Sequence, residues 1–372
     1  MNYDPLGTDA PNKTPKISNV KRPASNIADR NTPLINNCWY ILDWSKNITR
    51  KLKNRMVLNQ DIVYFRGNDN QVRVLQNRCA HRGFPLHRSK LLGNDTIQCG
   101  YHGLTYDTEG KCIRIPSDVS NKKPKLSVQS YPVVDQFPMV WLWPGDPDKA
   151  DPNLIPDYSW VNDDDWGYGK GYFHVKGNYL AIHENLLDIT HFEYLHGAAL
   201  GSASLTEAKV KIVVKENTVS RKSINHGDPV PILHKEATGL GDVPIIRHGE
   251  AKFVNPGFHQ GTNLFEDPAG TNGGRTNYRP RILHFITPET NYTTHYCWIF
   301  ARDFKPNNKK LDQYYNNATS KLFEEDKEAI EWIEELWATE DRPAYHENHV
   351  PADESTVKMR RIVHELSRLE NL

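Results

Sequence analysis

Apolar residues in the first part of the chain come in short β-type runs, such as WYILDW at 39–44, DIVYF at 61–65 and VRVLQN at 72–77. Runs of this length, bounded by turn-forming stretches such as RGNDN at 66–70, predict strands. The pattern holds from Trp39 to Trp143 and predicts a small all-β domain. WPGDPDKADPNLIPD at 143–157, rich in Pro and Asp, reads as a linker. Beyond it, strand-like KVKIVV (209–214), ILHFITP (282–288) and THYCWIFAR (294–302) mix with helical patterns near 180–196, 309–338 and 354–370. Helices packed on one face of an antiparallel sheet, an α+β layer, is the arrangement expected. The chain thus divides into an N-terminal arm over 1–35, an all-β domain over 36–147 and an α+β domain over 148–372. No internal repeat is visible.

Composition narrows the function classes. With 372 residues the chain is long enough for two domains with real cores, and 46 basic residues balance 46 acidic ones. A zero net charge gives no reason to expect nucleic acid or an anionic membrane as partner. The N-terminus lacks the apolar core of a signal peptide, and no apolar run has the length of a membrane span, so a cytoplasmic protein is expected. Three of the five cysteines, Cys38, Cys112 and Cys297, have no framework spacing and are expected as reduced thiols. The acidic run Asp163, Asp164, Asp165 reads as a solvated turn. GTNGGRTN at 270–277 reads as a mobile loop outside any strand-to-helix phosphate-binding pattern.

The chemistry begins at Cys79-Ala-His81, followed after seventeen residues by Cys99-Gly-Tyr-His102. Each short loop pairs one thiolate with one imidazole, whereas zinc fingers usually group Cys with Cys and His with His. A structural Cys2His2 zinc site has the same ligand inventory and is the plainer alternative. Two thiolates on one iron and two imidazoles on the other is the Rieske [2Fe-2S] arrangement. Gly83, Gly100 and Gly103 are expected to allow tight loops whose amides approach the sulfides. The chain resembles Rieske-type proteins over about 36–147, most specifically in HRGFPL and YHGLTYD. Respiratory Rieske proteins add a disulfide after the ligand loops. Phe84 and Leu104 stand here instead, which favours the oxygenase type.

A second constellation lies in ENLLDITHFEYLHG at 184–197. Read as one helix, Ala181, Asp188, Phe192 and Leu195 share a stripe that aims Asp188 inward, where a carboxylate needs a dedicated partner. His191 and His196 are five apart, roughly 140° on a regular helix, and converge on one metal only if the helix ends or widens between them. Gly197 is a plausible stop. A third ligand is offered by KLFEEDKEAIEWIEELWA at 321–338, where Leu322, Phe323, Ala329, Ile330, Ile333, Leu336 and Trp337 fall within about 80° of Asp326. Asp326 is the acid at the centre of that face. Glu325, about 100° off the stripe, is the fallback, and Glu184 and Asn185 are candidates to support the ligands.

Asp, two residues, His, four residues, His resembles the mononuclear-iron motif of Rieske non-haem iron oxygenases, and FEEDKEAIEWI resembles the segment supplying the last ligand in the vanillate demethylase and dicamba monooxygenase branch. The resemblance implies a helix-grip (START-like) catalytic domain with ferrous iron on His191, His196 and Asp326. It also implies a ring-shaped homotrimer in which Asp188 links His102 of one chain to His191 of the next. Electrons would come from a flavin- and iron–sulfur-containing NAD(P)H reductase, with or without a ferredoxin. Substrates would be O2 and a small aromatic molecule. Oxidative O-demethylation of a methoxyaromatic acid is the first expectation; arene dihydroxylation, N-dealkylation and C–H hydroxylation use the same site. His226, Arg247, His248, Arg275, Arg279 and His284 are candidates to hold a carboxylate. An electron carrier or redox sensor, and a zinc-stabilised ligand carrier, are the readings from other classes.

Overall fold

The β-type runs of the first part form three small antiparallel sheets. The structure, a computed structural model, describes residues 26–118, 125–200, 208–339 and 347–371; residues 1–25 of the expected arm lie outside them. One sheet joins β1 (Tyr40–Trp44) to β10 (Met139–Leu142) and β9 (Val133–Gln136), and a second orders β2 (Lys53–Val57), β3 (Gln60–Arg66) and β4 (Val72–Gln76). The third orders β5 (Lys90–Leu91), β6 (Ile97–Gln98), β7 (Thr105–Tyr106) and β8 (Cys112–Arg114).

The rest is built on an eight-stranded antiparallel sheet in the order β11 (Gly167–Val175), β18 (Thr294–Arg302), β17 (Pro280–Pro288), β15 (Phe258–Glu266), β14 (Pro244–Asn255), β13 (Thr218–Pro229) and β12 (Val210–Lys215), with β16 (Asn277–Tyr278) pairing β15. Five helices accompany it among the described residues: α1 (Tyr179–Leu187), α2 (His191–Leu195), α3 (Ile232–Thr238), α4 (Lys309–Ala338) and α5 (Glu354–Glu370). This is the expected all-β domain followed by an α+β helix-grip domain.

The THYCWIFAR run is buried throughout because both faces of β18 are covered. Tyr296, Trp298 and Phe300 pack with Phe323 and Tyr315 of α4, while Cys297, Ile299 and Ala301 share a cluster with Ile41 and Trp141 of the first sheet and with Trp39 just before it. The β-rich part is therefore cemented to the back of the large sheet. Thr287 donates to the Ile41 carbonyl at 2.9 Å, and the Leu58 amide to Pro288 at 2.8 Å. Each fully buried large side chain here contributes about 1.5–3 kcal/mol.

Arg302, wholly buried at the end of β18, fixes α4 to the sheet. It pairs with Asp312 at 2.8 Å and donates to the carbonyls of Lys305 and Asn308, whose side chain caps the helix. From there Tyr315, Thr319, Leu322, Phe323, Asp326 and Ile330 follow the helical period along one buried stripe. The stripe stops earlier than its sequence suggests. Ile333 and Leu336 are 47% and 67% exposed, and Glu334 takes the inward position, paired with Arg30. The helix has by then passed the end of the sheet, so the periodicity continues with nothing to bury it.

Two further expectations are corrected. The 180–196 helix is broken at 188–190, where Asp188 caps α1 and its side chain accepts from the Thr190 amide and hydroxyl at 2.9 and 2.7 Å. The segment at 270–277 is a pinned turn: buried Asp267 accepts from Ala269 and Thr271 amides, and Asn272 donates to the Thr238 carbonyl. The acidic run at 163–165 is exposed in a turn, as expected. No described helix is long and apolar enough to cross a membrane. Cys38, Cys112 and Cys297 are free and buried, and burial pushes the thiols of Cys38 and Cys297 up to about 12.

Candidate metal centres and the adjoining cavity

The two Cys/His loops are built alike. In each, the cysteine amide bonds the carbonyl five residues on, Cys79 to Phe84 at 2.9 Å and Cys99 to Leu104 at 2.8 Å, and a glycine amide returns to the cysteine carbonyl. Those glycines, Gly83 and Gly103, have φ of +70° and +74°, which a side chain would strain. Their own amides are spent on closing the loops, and Gly100 donates to Ser89. The sulfurs are served by other donors. Tyr106 hydroxyl lies 3.1 Å from Cys79 Sγ, and the Tyr101 and His102 amides bond Cys99.

Cys79 and Cys99 are buried and adjoin one another, while the rings of His81 and His102 stand 4.7 Å apart on the exposed side. Among the described residues, the group of three or more ligating side chains gathered within 4.8 Å lies elsewhere. The quartet is therefore two pairs, thiol with thiol and imidazole with imidazole, wider than one tetrahedral ion allows. Two irons with unlike ligands match this partition; a single zinc does not.

The group within 4.8 Å is His191, His196 and Asp326. His191 opens α2, and His196 follows its last residue, Leu195, so the helix does end between the two imidazoles as their convergence requires. Gly197, at φ +53°, turns the chain away. Nε2 of His191 and Nε2 of His196 lie 3.3 and 3.2 Å from Asp326 Oδ1, which also accepts from Asn185 Nδ2 at 2.9 Å. The second ring nitrogens are occupied: His191 Nδ1 donates to the Asp188 main-chain carbonyl at 2.5 Å, and His196 Nδ1 to Glu325 Oε2 at 2.8 Å. Such outer bonds fix each tautomer with Nε2 facing inward.

Burial opposes ionisation of Asp326, yet the imidazoles of His191 and His196, 3.3 and 3.2 Å away, outweigh it and hold the carboxyl well below its usual range. Burial likewise opposes charging of His196, but Asp326 and Glu325 raise it. His191 Nε2 is buried with no hydrogen-bond partner. An orphaned imidazole nitrogen facing a shared carboxylate fits a metal ion, and two histidines with one carboxylate make the facial set suited to ferrous iron.

Glu325, the fallback ligand, supports His196 instead. Asn185 lies beside Asp326, whereas Glu184 turns away to Arg360 at 3.2 Å. Asp188 is half-buried at the helix break rather than inward on a continuous helix. Its link to His191 runs through the main chain, and its Oδ2 has no hydrogen-bond partner among the described residues.

Beside this triad opens a cavity of about 110 Å³, reached by Asn185, His196 and Asp326 and walled by Leu186, Ile189, Phe192, Leu322 and Phe323. That is of the order of the roughly 150 Å³ cavity that admits a benzene ring. The sheet closes it with inward positions of β13, β14, β15 and β17: Arg221, Arg247, His259 and His284. Of the six residues first considered for a carboxylate, only Arg247 and His284 reach it. His226 is exposed, His248 pairs with Glu266, and Arg275 and Arg279 pair with Asp303. Arg221, His234 and His259 were not anticipated. The available signal was inverted alternation in β13, where Arg221, Ser223 and Asn225 are buried and Ile224 is 53% exposed.

Residues 38–132 match the Rieske [2Fe-2S] domain, and 175–369 match the vanillate O-demethylase oxygenase C-terminal domain. The vanillate O-demethylase oxygenase subunit of Pseudomonas sp. (strain HR199 / DSM 7063) is 32% identical over 79% of this chain and 84% of its own. An iron–sulfur subunit of the toluene-4-sulfonate monooxygenase system of Comamonas testosteroni is 31% identical over 83% of this chain and 91% of its own. Dicamba monooxygenase bound to 3,6-dichlorosalicylic acid superposes with a TM-score of 0.84, at 27% identity, over 91% of this chain and 99% of that one.

Proposed function

Since the chain belongs to the vanillate O-demethylase family of Rieske-type oxygenases, we propose that it is the terminal oxygenase that O-demethylates a one-ring methoxyaromatic acid. The observation that carries this reading is the cavity: His196 and Asp326 of the triad at one wall, an apolar middle sized for one ring, and two arginines on the opposing sheet. Among the described residues neither Arg221 nor Arg247 forms an ion pair within 4 Å; Asp188 acts on Arg221, and Asp228 on Arg247, from further off. Burial pushes Arg247 down to about 10, still cationic at neutral pH. A buried arginine with no carboxylate in direct contact favours an anionic ligand.

His191, His196 and Asp326 would hold the iron, and Cys79, His81, Cys99 and His102 the [2Fe-2S] cluster. The chemistry supplied when both are bound is single-electron delivery and reductive activation of dioxygen. In the overall reaction one oxygen atom is placed on the methyl carbon, whose bond to the ether oxygen then breaks to give a phenol and formaldehyde. The other atom leaves as water, with two electrons supplied through a separate NAD(P)H reductase.

The protein's own work is positional. Asn185 and Glu325 hold Asp326 and His196 in place, the apolar wall excludes water, and the arginines orient the acid. His81 and His102 present an exposed edge, and Asp188 keeps one carboxylate oxygen without a partner, so this aspartate would receive the imidazole edge of a neighbouring chain in a homotrimer. The cluster module is taken as 36–147 and the catalytic module as 148–372, in a cytoplasmic enzyme.

The test is a panel of methoxylated and unsubstituted benzoic acids turned over with reductase and O2, scored for formaldehyde against cis-diol. Formaldehyde from a methoxy acid supports the reading; diol alone, or uncoupled oxygen uptake with every acid, overturns it.

A further inference from the structure

The polar wall of the cavity also carries a directional signal. His259, on β15, borders the cavity and is 1% exposed, and its Nε2 is buried with no hydrogen-bond partner. Its other nitrogen, Nδ1, lies 3.5 Å from Nδ1 of His183, a wholly buried residue of α1. Nε2 of His183 lies 3.0 Å from the Pro256 carbonyl. A carbonyl only accepts, so His183 carries its proton on Nε2 and presents a bare lone pair at Nδ1. His259 must then donate through Nδ1, which leaves its Nε2 as an acceptor. Burial keeps both rings neutral, pushing His183 down to about 4 and His259 well below the usual imidazole range, aided there by its histidine neighbours His183 and His284.

Thr319, on α4, is a second group at the same cavity, 2% exposed and without a partner at Oγ1. A carboxylate offers His259 nothing, since lone pair would face lone pair. A hydroxyl donates to the imidazole and still accepts from a threonine. We propose that His259 reads a hydroxyl group on the aromatic substrate, so that the preferred ligand is a phenolic acid whose hydroxyl sits at His259 while its anionic group lies at the arginines. This rests on the cavity being the substrate site, and it makes α1, which leads into the metal-binding segment, the element that sets the polarity of recognition.

The test is equilibrium binding by calorimetry to the cofactor-loaded protein without reductant, using benzoate, the three monohydroxybenzoates and their methyl ethers. One hydroxybenzoate is expected to bind roughly tenfold tighter than both benzoate and its own methyl ether, as one satisfied buried hydrogen bond implies. In His259→Leu that ratio should fall to near one. In His183→Phe, which frees the His259 proton to move to Nε2, the hydroxyl should lose its advantage over the ether while benzoate affinity is kept. Equal binding of hydroxyl and ether to the wild-type protein, or a preference that survives His259→Leu, overturns the proposal without any variant having to be active. Failure of every acid to bind overturns both this and the substrate-site reading. A hydroxyl preference in a protein that releases no formaldehyde would sink only the demethylase reading.

Discussion

Replacing Glu325 separates a metal ligand from a residue that orients one. Glu325 Oε2 lies 2.8 Å from His196 Nδ1, so it accepts a charge-assisted bond from the nitrogen facing away from the triad. Removing such an outer carboxylate typically weakens metal binding about 10–100-fold, or roughly 1.4–2.8 kcal/mol. His196 is 1% exposed at its side chain but Glu325 is 32% exposed, and solvent screening places the effect near the lower end, about tenfold. Glu325→Ala should therefore bind Fe(II) about tenfold more weakly in anaerobic chelator competition, with the visible spectrum of the cluster unchanged. Glu325→Gln, which can still accept from Nδ1–H, should fall between the two. Iron binding as tight as wild type in Glu325→Ala would refute an orienting role. Complete loss, matching Asp326→Asn, would make Glu325 a ligand.

Other consequences can be checked directly. Asp188→Asn should retain both metal centres yet slow turnover at least roughly tenfold, about 1.4 kcal/mol in barrier; a normal rate would remove Asp188 from the electron path. Tyr106→Phe deletes the 3.1 Å contact to Cys79 Sγ. Losing a bond of about 1 kcal/mol that favours the more negative reduced cluster should lower its potential by roughly 40 mV, read by redox titration. Burial raises Glu184 to about 7, against the opposing pull of Arg360. A carboxyl raised above its unfolded value stabilises fully below about pH 4.5 and loses that contribution as pH climbs through 7. Urea melts should then show wild type losing up to about 3 kcal/mol between pH 4.5 and 8 relative to Glu184→Gln; parallel curves would contradict the assignment.

What could be read from the chain depended on how local each signal was. The cluster loops were legible because all four ligands sit within 24 residues, Cys79 to His102, and the spacing itself carries the chemistry. Asp326 was legible through helical period. Periodicity also misled, since it runs on through Ile333 and Leu336 past the end of the sheet, where only tertiary context determines burial. The break at 188–190 was hidden because Asp188 looks like an inward helical residue until its side chain captures the Thr190 amide. Glu325 was visible as a candidate with the wrong role, because a wheel cannot show that His196 leaves its helix and turns Nδ1 toward it. Arg221, Arg247, His259 and His284 come from four strands, and only the sheet register brings them together.

The proposed enzyme carries, in one chain, a two-iron cluster on mixed ligands and a separate ferrous site on His191, His196 and Asp326. Iron, zinc and acid-labile sulfide per chain, measured on anaerobically purified wild type and Asp326→Asn, test it most directly. About three irons and two sulfides are expected in the wild type, and about two of each in the variant. Zinc without sulfide, or the same iron content in both proteins, would contradict it.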